Sequence, residues 1–166
     1  MSYGPRTKVP FRRRREGKTD YRRRLKLLKG NLPRAVVRKS LQNISVQIAL
    51  YDQGGDTIVA SAVSKELRRF GWNLNTGNVP AAYLTGLLAG KRAKAKGIAA
   101  AVLDIGLNSP ARGARMFASL KGLLDAGIDI PHDESVLPSP ERLQGKHLGE
   151  AAVKAFGEVK TKMEAH

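Results

Sequence analysis

The sequence predicts an α/β fold, in which a mixed sheet of three antiparallel strands and a parallel fourth strand is packed by two helices. Three observations predict this class. Apolar and polar positions alternate over residues 43–51, a continuous apolar run covers residues 98–105, and a helical segment lies on the chain on either side of that run. The predicted order is β-β-β-α-β-α. We expect a basic N-terminal arm at residues 1–32, a globular domain at 33–132 and a helical C-terminal tail at 133–166.

The first three strands are predicted at residues 34–39, 43–51 and 57–63. In the second strand a period of two indicates a sheet with one face on a core, and its apolar positions are Ile44, Val46, Ile48 and Leu50. The sequence Asp-Gln-Gly-Gly-Asp at residues 52–56 is typical of a hairpin turn. The apolar run at 98–105 favours a strand buried on both faces, reached through a crossover helix.

Two helices complete the predicted globular domain. Asn78 can cap the first helix with Pro80 in its first turn, and the second is expected over residues 111–126. Gly86 and Gly90 are four residues apart, which leaves a flat groove where a strand or another backbone can approach. Residues 64–70 are expected to form a helical turn. In the tail, Ser139-Pro140-Glu141 indicates a helix start, and a marginal helix after it must dock on the domain.

Most of the charge lies at the N-terminus. Residues 1–40 hold fifteen Lys/Arg and two Asp/Glu, a net charge of +13, whereas the remainder contributes +3 of the total of +16. We expect residues 1–10 to be extended, and the four arginines at 12–15 to stay disordered or extended until an anion neutralises them. Thr19 or Asp20 then caps a short helix over 21–29, with a thin apolar stripe formed by Tyr21, Leu25 and Leu28.

Several classes of function are disfavoured by what the sequence lacks. The chain has no cysteine and three scattered histidines, which argues against disulfides, thiolate catalysis and zinc. No apolar run approaches the roughly 20 residues of a membrane span, and the basic N-terminus has no apolar core of a secretory signal, so a cytoplasmic protein is the simplest interpretation. The arm also lacks the apolar face that insertion into a membrane surface requires.

No catalytic set emerges from the motifs. The stretch Gly86–Arg92 fails as a phosphate loop, because its spacing is one residue short and Arg92 stands where a magnesium-binding Ser or Thr is required. A metal-dependent nuclease needs several convergent acids. Asp52 and Asp56 are better explained as turn residues, which leaves Asp104 without clear partners. We therefore expect no enzyme, no metal, no cofactor and no small-molecule substrate.

The arm favours an RNA partner. Its arginine clusters match the arginine-rich segments that fold on RNA, and arginine grips phosphate bidentately. Trp72 has two interpretations that the sequence leaves open: it caps the core, or it offers a stacking platform for a base. Two rival functions also stay open, an RNA-cleaving nuclease and a general RNA chaperone or packaging protein, which would bind any duplex equally well.

Longer motifs resemble one family. They include Gly4-Pro5-Arg6, the run from Arg12 to Tyr21, Thr76-Gly77-Asn78, the stretch from Ala82 to Gly90, Leu103-Asp104-Ile105-Gly106-Leu107 and Asp129-Ile130-Pro131-His132. Over residues 1 to about 150 the chain resembles the eighteenth large-subunit ribosomal protein in its archaeal and eukaryotic form.

The resemblance implies a ribosome-bound protein that binds 5S rRNA and helps attach it to the large-subunit rRNA in the central protuberance, beside a second 5S-binding ribosomal protein. It implies RNA contacts for the arm and for the first strand, and it points to the loop at 106–115 as a further contact. With the basic and aromatic residues noted above, the candidate RNA-binding residues are Arg12, Arg13, Arg14, Arg15, Lys18, Arg22, Arg23, Arg24, Lys26, Arg34, Arg38, Lys39, Trp72, Asn108, Arg112 and Arg115.

Overall fold

The computed structural model describes residue 4 and residues 8–164. The strands are β1 (Arg34–Lys39), β2 (Ile44–Leu50), β3 (Thr57–Val63) and β4 (Val102–Asp104). The helices are α1 (Arg12–Arg15), α2 (Tyr21–Leu28), α3 (Val79–Ala95), α4 (Arg115–Asp125), α5 (Pro140–Gln144) and α6 (Glu150–Glu164), with 3-10 turns at Ser64–Phe70, Glu134–Val136 and Lys146–Leu148.

The sheet has the order β3-β2-β1-β4, in which β1 pairs antiparallel with β2 and parallel with β4. This confirms the predicted mixed sheet with a parallel fourth strand. Helix α3 packs on β2 and β3, while α4 packs on β1 and on α3. Ala35, Val37 and Ile48 point into the resulting core and are fully buried. The opposite face of the sheet carries Arg34 and is not covered by α3 or α4, so the arm can pack there.

Helix α3 forms as the sequence predicts. The side chain of Asn78 accepts a hydrogen bond from the amide of Ala81, and Pro80 lies in the first turn. A Cβ atom added to Gly86 would lie 2.1 Å from the carbonyl oxygen of Ser119 in α4. The flat groove predicted at Gly86 is therefore confirmed, and the backbone that enters it belongs to a helix.

Other boundaries differ from those predicted. Strand β4 has three residues, its side chains at Val102 and Leu103 are only half-buried, and it lies at an edge of the sheet. The prediction of a long strand buried on both faces is wrong, because residues 98–101 form one isolated bridge, between Ala100 and Asp129, in place of a sheet pairing, and Ala99 is exposed. Leu50 is 39% exposed, since the pairing register of β2 shifts between Ile48 and Ala49. Helix α4 begins at Arg115, after a loop.

The C-terminal helix docks as expected. Ala152, Phe156, Val159 and Met163 on α6 are buried, and the ring of Phe156 lies 5.5 Å from that of Tyr83 in α3. The predicted helix start at Ser139 is confirmed as the first residue before α5. No helix in the described part of the chain has the length and apolar character to cross a membrane.

Candidate nucleic-acid interface

The arginine run at 12–15 forms one helical turn, contrary to the expectation of a disordered or extended segment. Gly17 explains why: it has φ of +62°, its amide donates to the carbonyl of Arg14, and the amide of Lys18 donates to the carbonyl of Arg13. These two bonds form a Schellman motif, which ends a helix with a left-handed glycine. The extended structure predicted for residues 1–10 falls largely on residues outside the described part.

Helix α2 follows the turn, and Asp20 caps it. The carboxylate of Asp20 accepts hydrogen bonds from the amides of Arg22 and Arg23, at 2.9 and 3.2 Å. The hydrogen bond from Arg23 is the main reason why the pKa of Asp20 lies below its ordinary value. Of the two predicted caps, Asp20 is confirmed, and the helix ends at Leu28.

The face of α2 that points to the domain differs from the predicted stripe. Leu25 is 58% exposed, whereas Arg24, Leu27 and Leu28 are half-buried together with Tyr21. A charged residue occupies an inward position because the domain presents a carboxylate there. Arg24 donates from Nη2 to both oxygens of Asp56, at 3.0 Å each.

A network of ion pairs joins the arm, β1 and β4. Arg34 lies at its centre, with a side chain that is 3% exposed and that donates to Asp104 at 3.0 Å and to Asp56 at 2.5 Å. Arg38 donates to the other oxygen of Asp104 at 3.1 Å. Burial alone would raise the pKa of Asp56, but hydrogen bonds from Arg34 and Arg24 outweigh it and lower that pKa. The network therefore fixes α2 against the sheet.

A cleft of about 820 Å³ separates the arm from the loop after β4. Its polar wall comes from the arm, and its floor comes from the end of β4 and the loop, where Leu107 is 52% exposed. The basic residues that line it are Arg13, Lys18, Arg23, Arg24, Lys26 and Arg38. Three carboxylates, of Asp20, Asp56 and Asp104, also line the cleft, so its net charge is positive. Positive charge next to the apolar side chains of the loop suits a ligand that combines negative charge with flat apolar surface.

The structure divides the sequence-predicted residues into two groups. One group is exposed on the arm and at the end of β1, where a phosphate can reach it: Arg12, Arg13, Arg14, Arg15, Lys18, Arg22, Arg23, Lys26, Lys39 and Arg38, the last already paired with Asp104. Within the described residues Arg14, Arg15, Arg22 and Lys26 have no carboxylate partner.

The other group is engaged in the fold. The Trp72 side chain is fully buried and its Nε1 donates to the carbonyl of Asn75, so no base can stack on it and the interpretation as a platform is wrong. Arg34 is likewise buried between two carboxylates and has no surface for a phosphate. Arg24 is directed at Asp56.

The loop between β4 and α4 carries the remaining candidates. Arg112 is exposed, Asn108 donates from its side chain to the carbonyl of Ile105, and Arg115 donates to the carbonyl of Gly77 at 2.6 Å. Arg115 therefore ties the start of α4 to the start of α3. Of these three side chains, Arg112 is the one fully available to a ligand.

Sequence reasoning missed Phe11 and the roles of Asp56 and Asp104. Phe11 is 72% exposed and its ring lies 5.2 Å from that of Tyr21. The sequence predicts Asp56 only as a turn residue, whereas its carboxylate accepts hydrogen bonds from Arg24 and Arg34. The sequence did contain a signal for Asp104, because this residue lies near the end of the apolar run at 98–105.

The described residues hold no group of three or more acidic, histidine or cysteine side chains that could bind a metal ion.

Comparison with known proteins gives the family. A family model described as "Ribosomal large subunit proteins 60S L5, and 50S L18" matches residues 5–99 and 93–133, which include the sheet, α3 and α4. The chain belongs to this ribosomal protein family. Both the cationic arm and most of the globular domain fall within the match, so the family resemblance inferred from the motifs is confirmed.

Two relatives support the family assignment. The large ribosomal subunit protein uL18 of Methanococcoides burtonii is 51% identical over 150 residues, covering 90% of this chain and 87% of the relative. The protein of the same name from Haloarcula marismortui is 53% identical over 150 residues, covering 90% of this chain and 80% of the relative.

Proposed function

We propose that this protein is a structural component of the large ribosomal subunit that binds 5S rRNA and helps attach it to the large-subunit rRNA in the central protuberance. The single observation that carries the proposal is the exposed cationic surface of the arm on a chain of the ribosomal family. Among the residues that the structure describes, the arm supplies arginines without carboxylate partners, as a polyphosphate partner requires.

The mechanism follows from how the arm is attached. Arg24 holds α2 against the domain through Asp56, so the outward side chains of α2 are displayed at a fixed position. Arg22, Arg23 and Lys26 are the exposed basic side chains of α2, and the last two also line the cleft. Phosphates of a folded RNA bind there and along α1, which neutralises the four arginines of that turn and releases condensed counterions.

The remaining assignments belong to the same proposal. The cationic arm at residues 1–32, the 5S rRNA-binding domain at 33–132 and the tail at 133–166 act in a cytoplasmic, ribosome-bound protein. A neighbouring 5S-binding ribosomal protein is its protein partner. The protein works without catalysis, cofactor or small-molecule substrate, because RNA shape and charge are what it has to recognise.

The test is a filter-binding titration against 5S rRNA and against tRNA, each at a low and a high potassium chloride concentration. We expect a preference for 5S rRNA that persists at high salt, since specificity for folded RNA comes from shape and unstacked bases. Equal affinity for the two RNAs, lost together as salt rises, would instead support a general RNA chaperone or packaging protein.

A matched pair of variants tests the arm. The first variant replaces Arg12, Arg13, Arg14 and Arg15 by glutamine, and the second replaces four exposed basic residues elsewhere, Arg68, Arg69, Arg142 and Lys154. Both remove the same charge. If each arm arginine contacts a phosphate, the first variant lowers the slope of log affinity against log salt by about three to four. Equal slopes for the two variants would contradict a phosphate contact by the arm.

A further inference from the structure

Packing within the fold does not explain why Phe11, which forms an aromatic pair with Tyr21, is so exposed. The two rings lie 5.2 Å apart and are tilted by 47°. Phe11 nevertheless keeps 72% of its surface exposed, whereas an aromatic residue that only packs two short helices together loses most of its surface. The exposed ring is available to a ligand with a flat apolar face.

The surroundings of the pair select the class of ligand. Phe11 directly precedes the four arginines of α1, and Tyr21 directly precedes Arg22 on α2. A neutral apolar ligand would gain nothing from this charge. An unpaired nucleotide has both required parts, because its base has a flat π face and its phosphate is anionic.

The cleft between the arm and the loop after β4 provides space for that nucleotide. Tyr21 and Arg13 both line it, together with Lys18 and Arg23. Nε of Arg13 donates to the hydroxyl of Thr19 at 2.9 Å, which orients the guanidinium in the wall of the cleft that Tyr21 also lines. A base that rests on Phe11 is next to Tyr21, which lines the cleft, so the cationic groups of the cleft are available to the sugar-phosphate backbone of that nucleotide.

We propose that the ring of Phe11, supported by Tyr21, stacks on an unpaired base of the bound rRNA, while neighbouring arginines hold the adjacent phosphates. This inference rests on the proposed function, since it names a site within the same RNA interface. It makes the arm a reader of unpaired nucleotides as well as a binder of phosphate. Phe11 takes over the stacking role that the buried Trp72 cannot have.

The first experiment compares Phe11→Ala with wild type on two probes, 5S rRNA and a fully paired RNA duplex of similar length. We expect about tenfold weaker binding to 5S rRNA, little change on the duplex and an unchanged salt slope, because stacking involves no counterion release. Leu41→Ala, which removes a side chain that is 92% exposed on the domain, is the control and should bind like wild type.

Each other outcome of this experiment has a distinct meaning. Wild-type protein that binds 5S rRNA no better than the duplex would refute the proposed function itself. A wild-type preference that Phe11→Ala leaves intact would refute only the stacking, and leave Phe11 to a protein partner. Equal weakening on 5S rRNA and duplex would show that Phe11 merely positions the arm.

A second experiment detects the stacking directly. Phe11→Trp places an indole on the arm, while the emission of the buried Trp72 in wild-type protein gives the baseline. We expect 5S rRNA to quench the additional emission, and we expect this variant to retain wild-type affinity. Saturable binding without quenching of the additional emission would overturn the proposal.

Discussion

Arginine has opposite roles in two regions of this molecule. In the domain, Arg34 is 3% exposed and lies between Asp56 and Asp104, so its charge is compensated within the fold. In the arm, Arg14 and Arg15 are exposed and have no carboxylate partner among the described residues. The residue type alone therefore does not indicate an RNA contact. What decides is whether the fold supplies a carboxylate, and only uncompensated arginines can bind phosphate.

The largest effect on the domain side of this comparison is expected at Gly86. Gly86→Ala places a Cβ atom 2.1 Å from the carbonyl oxygen of Ser119, a backbone contact that no rotamer change relieves. We expect the free energy of unfolding to fall by about 3 kcal/mol.

Gly157→Ala in α6 is the control for Gly86→Ala. A Cβ atom there meets no atom within 4 Å, so alanine should stabilise the helix by about 0.5–1 kcal/mol. Urea denaturation of both variants measures the difference. Similar midpoints for the two variants would contradict the close packing of α3 on α4.

The same substitution at two arginines tests the comparison directly. Arg34→Met should lower the free energy of unfolding by about 3 kcal/mol, because Asp56 and Asp104 lose a buried partner. Arg14→Met should change it by less than about 0.5 kcal/mol, since the side chain is exposed.

The salt dependence of RNA binding should change in Arg14→Met and not in Arg34→Met, the reverse of the effect on stability. Arg14→Met should reduce the salt slope by about one, and Arg34→Met, measured well below its melting temperature, should leave the slope unchanged. A loss of slope in Arg34→Met would mean that the buried arginine contacts phosphate after all. Two arginines with equal effects on stability would remove the distinction between the regions.

A smaller effect is expected from pH at the junction of the two regions. The pKa of Asp56 is lowered in the folded protein, so its contribution to arm docking is present above its unfolded pKa of about 3.8 and is lost as pH falls through the lower folded value. We expect faster amide hydrogen exchange in α2 at pH 3 than at pH 6, relative to the intrinsic rates.

Variants of two neighbouring aspartates isolate this effect. Asp56→Asn should already show weakened protection of α2 at pH 6 and a smaller further change at pH 3. Asp52→Asn serves as the control, because Asp52 accepts a hydrogen bond from Gln53 within its own turn. Identical pH profiles for Asp56→Asn and wild type would show that the ion pair with Arg24 does not hold the arm.

Local chemistry explains what the sequence predicted correctly. Asn78 and Pro80 start α3 whatever surrounds them, because their effects are confined to one helical turn. The alternation from Ile44 to Ile48 places one face of β2 on the core for the same reason. The prediction of a disordered or extended run at 12–15 is wrong, although Gly17, which ends the helical turn, is a local signal in the sequence.

The sequence by itself determined the α/β class, the strand order along the chain, the cationic arm and the family, since these depend on periodicity, composition and motifs. The tertiary structure decided which basic residues remain available to RNA. Asp56 and Asp104 are distant from Arg34 in the sequence, and only strand pairing brings them to it. It also buried Trp72 and left Phe11 exposed, because burial depends on how the elements pack.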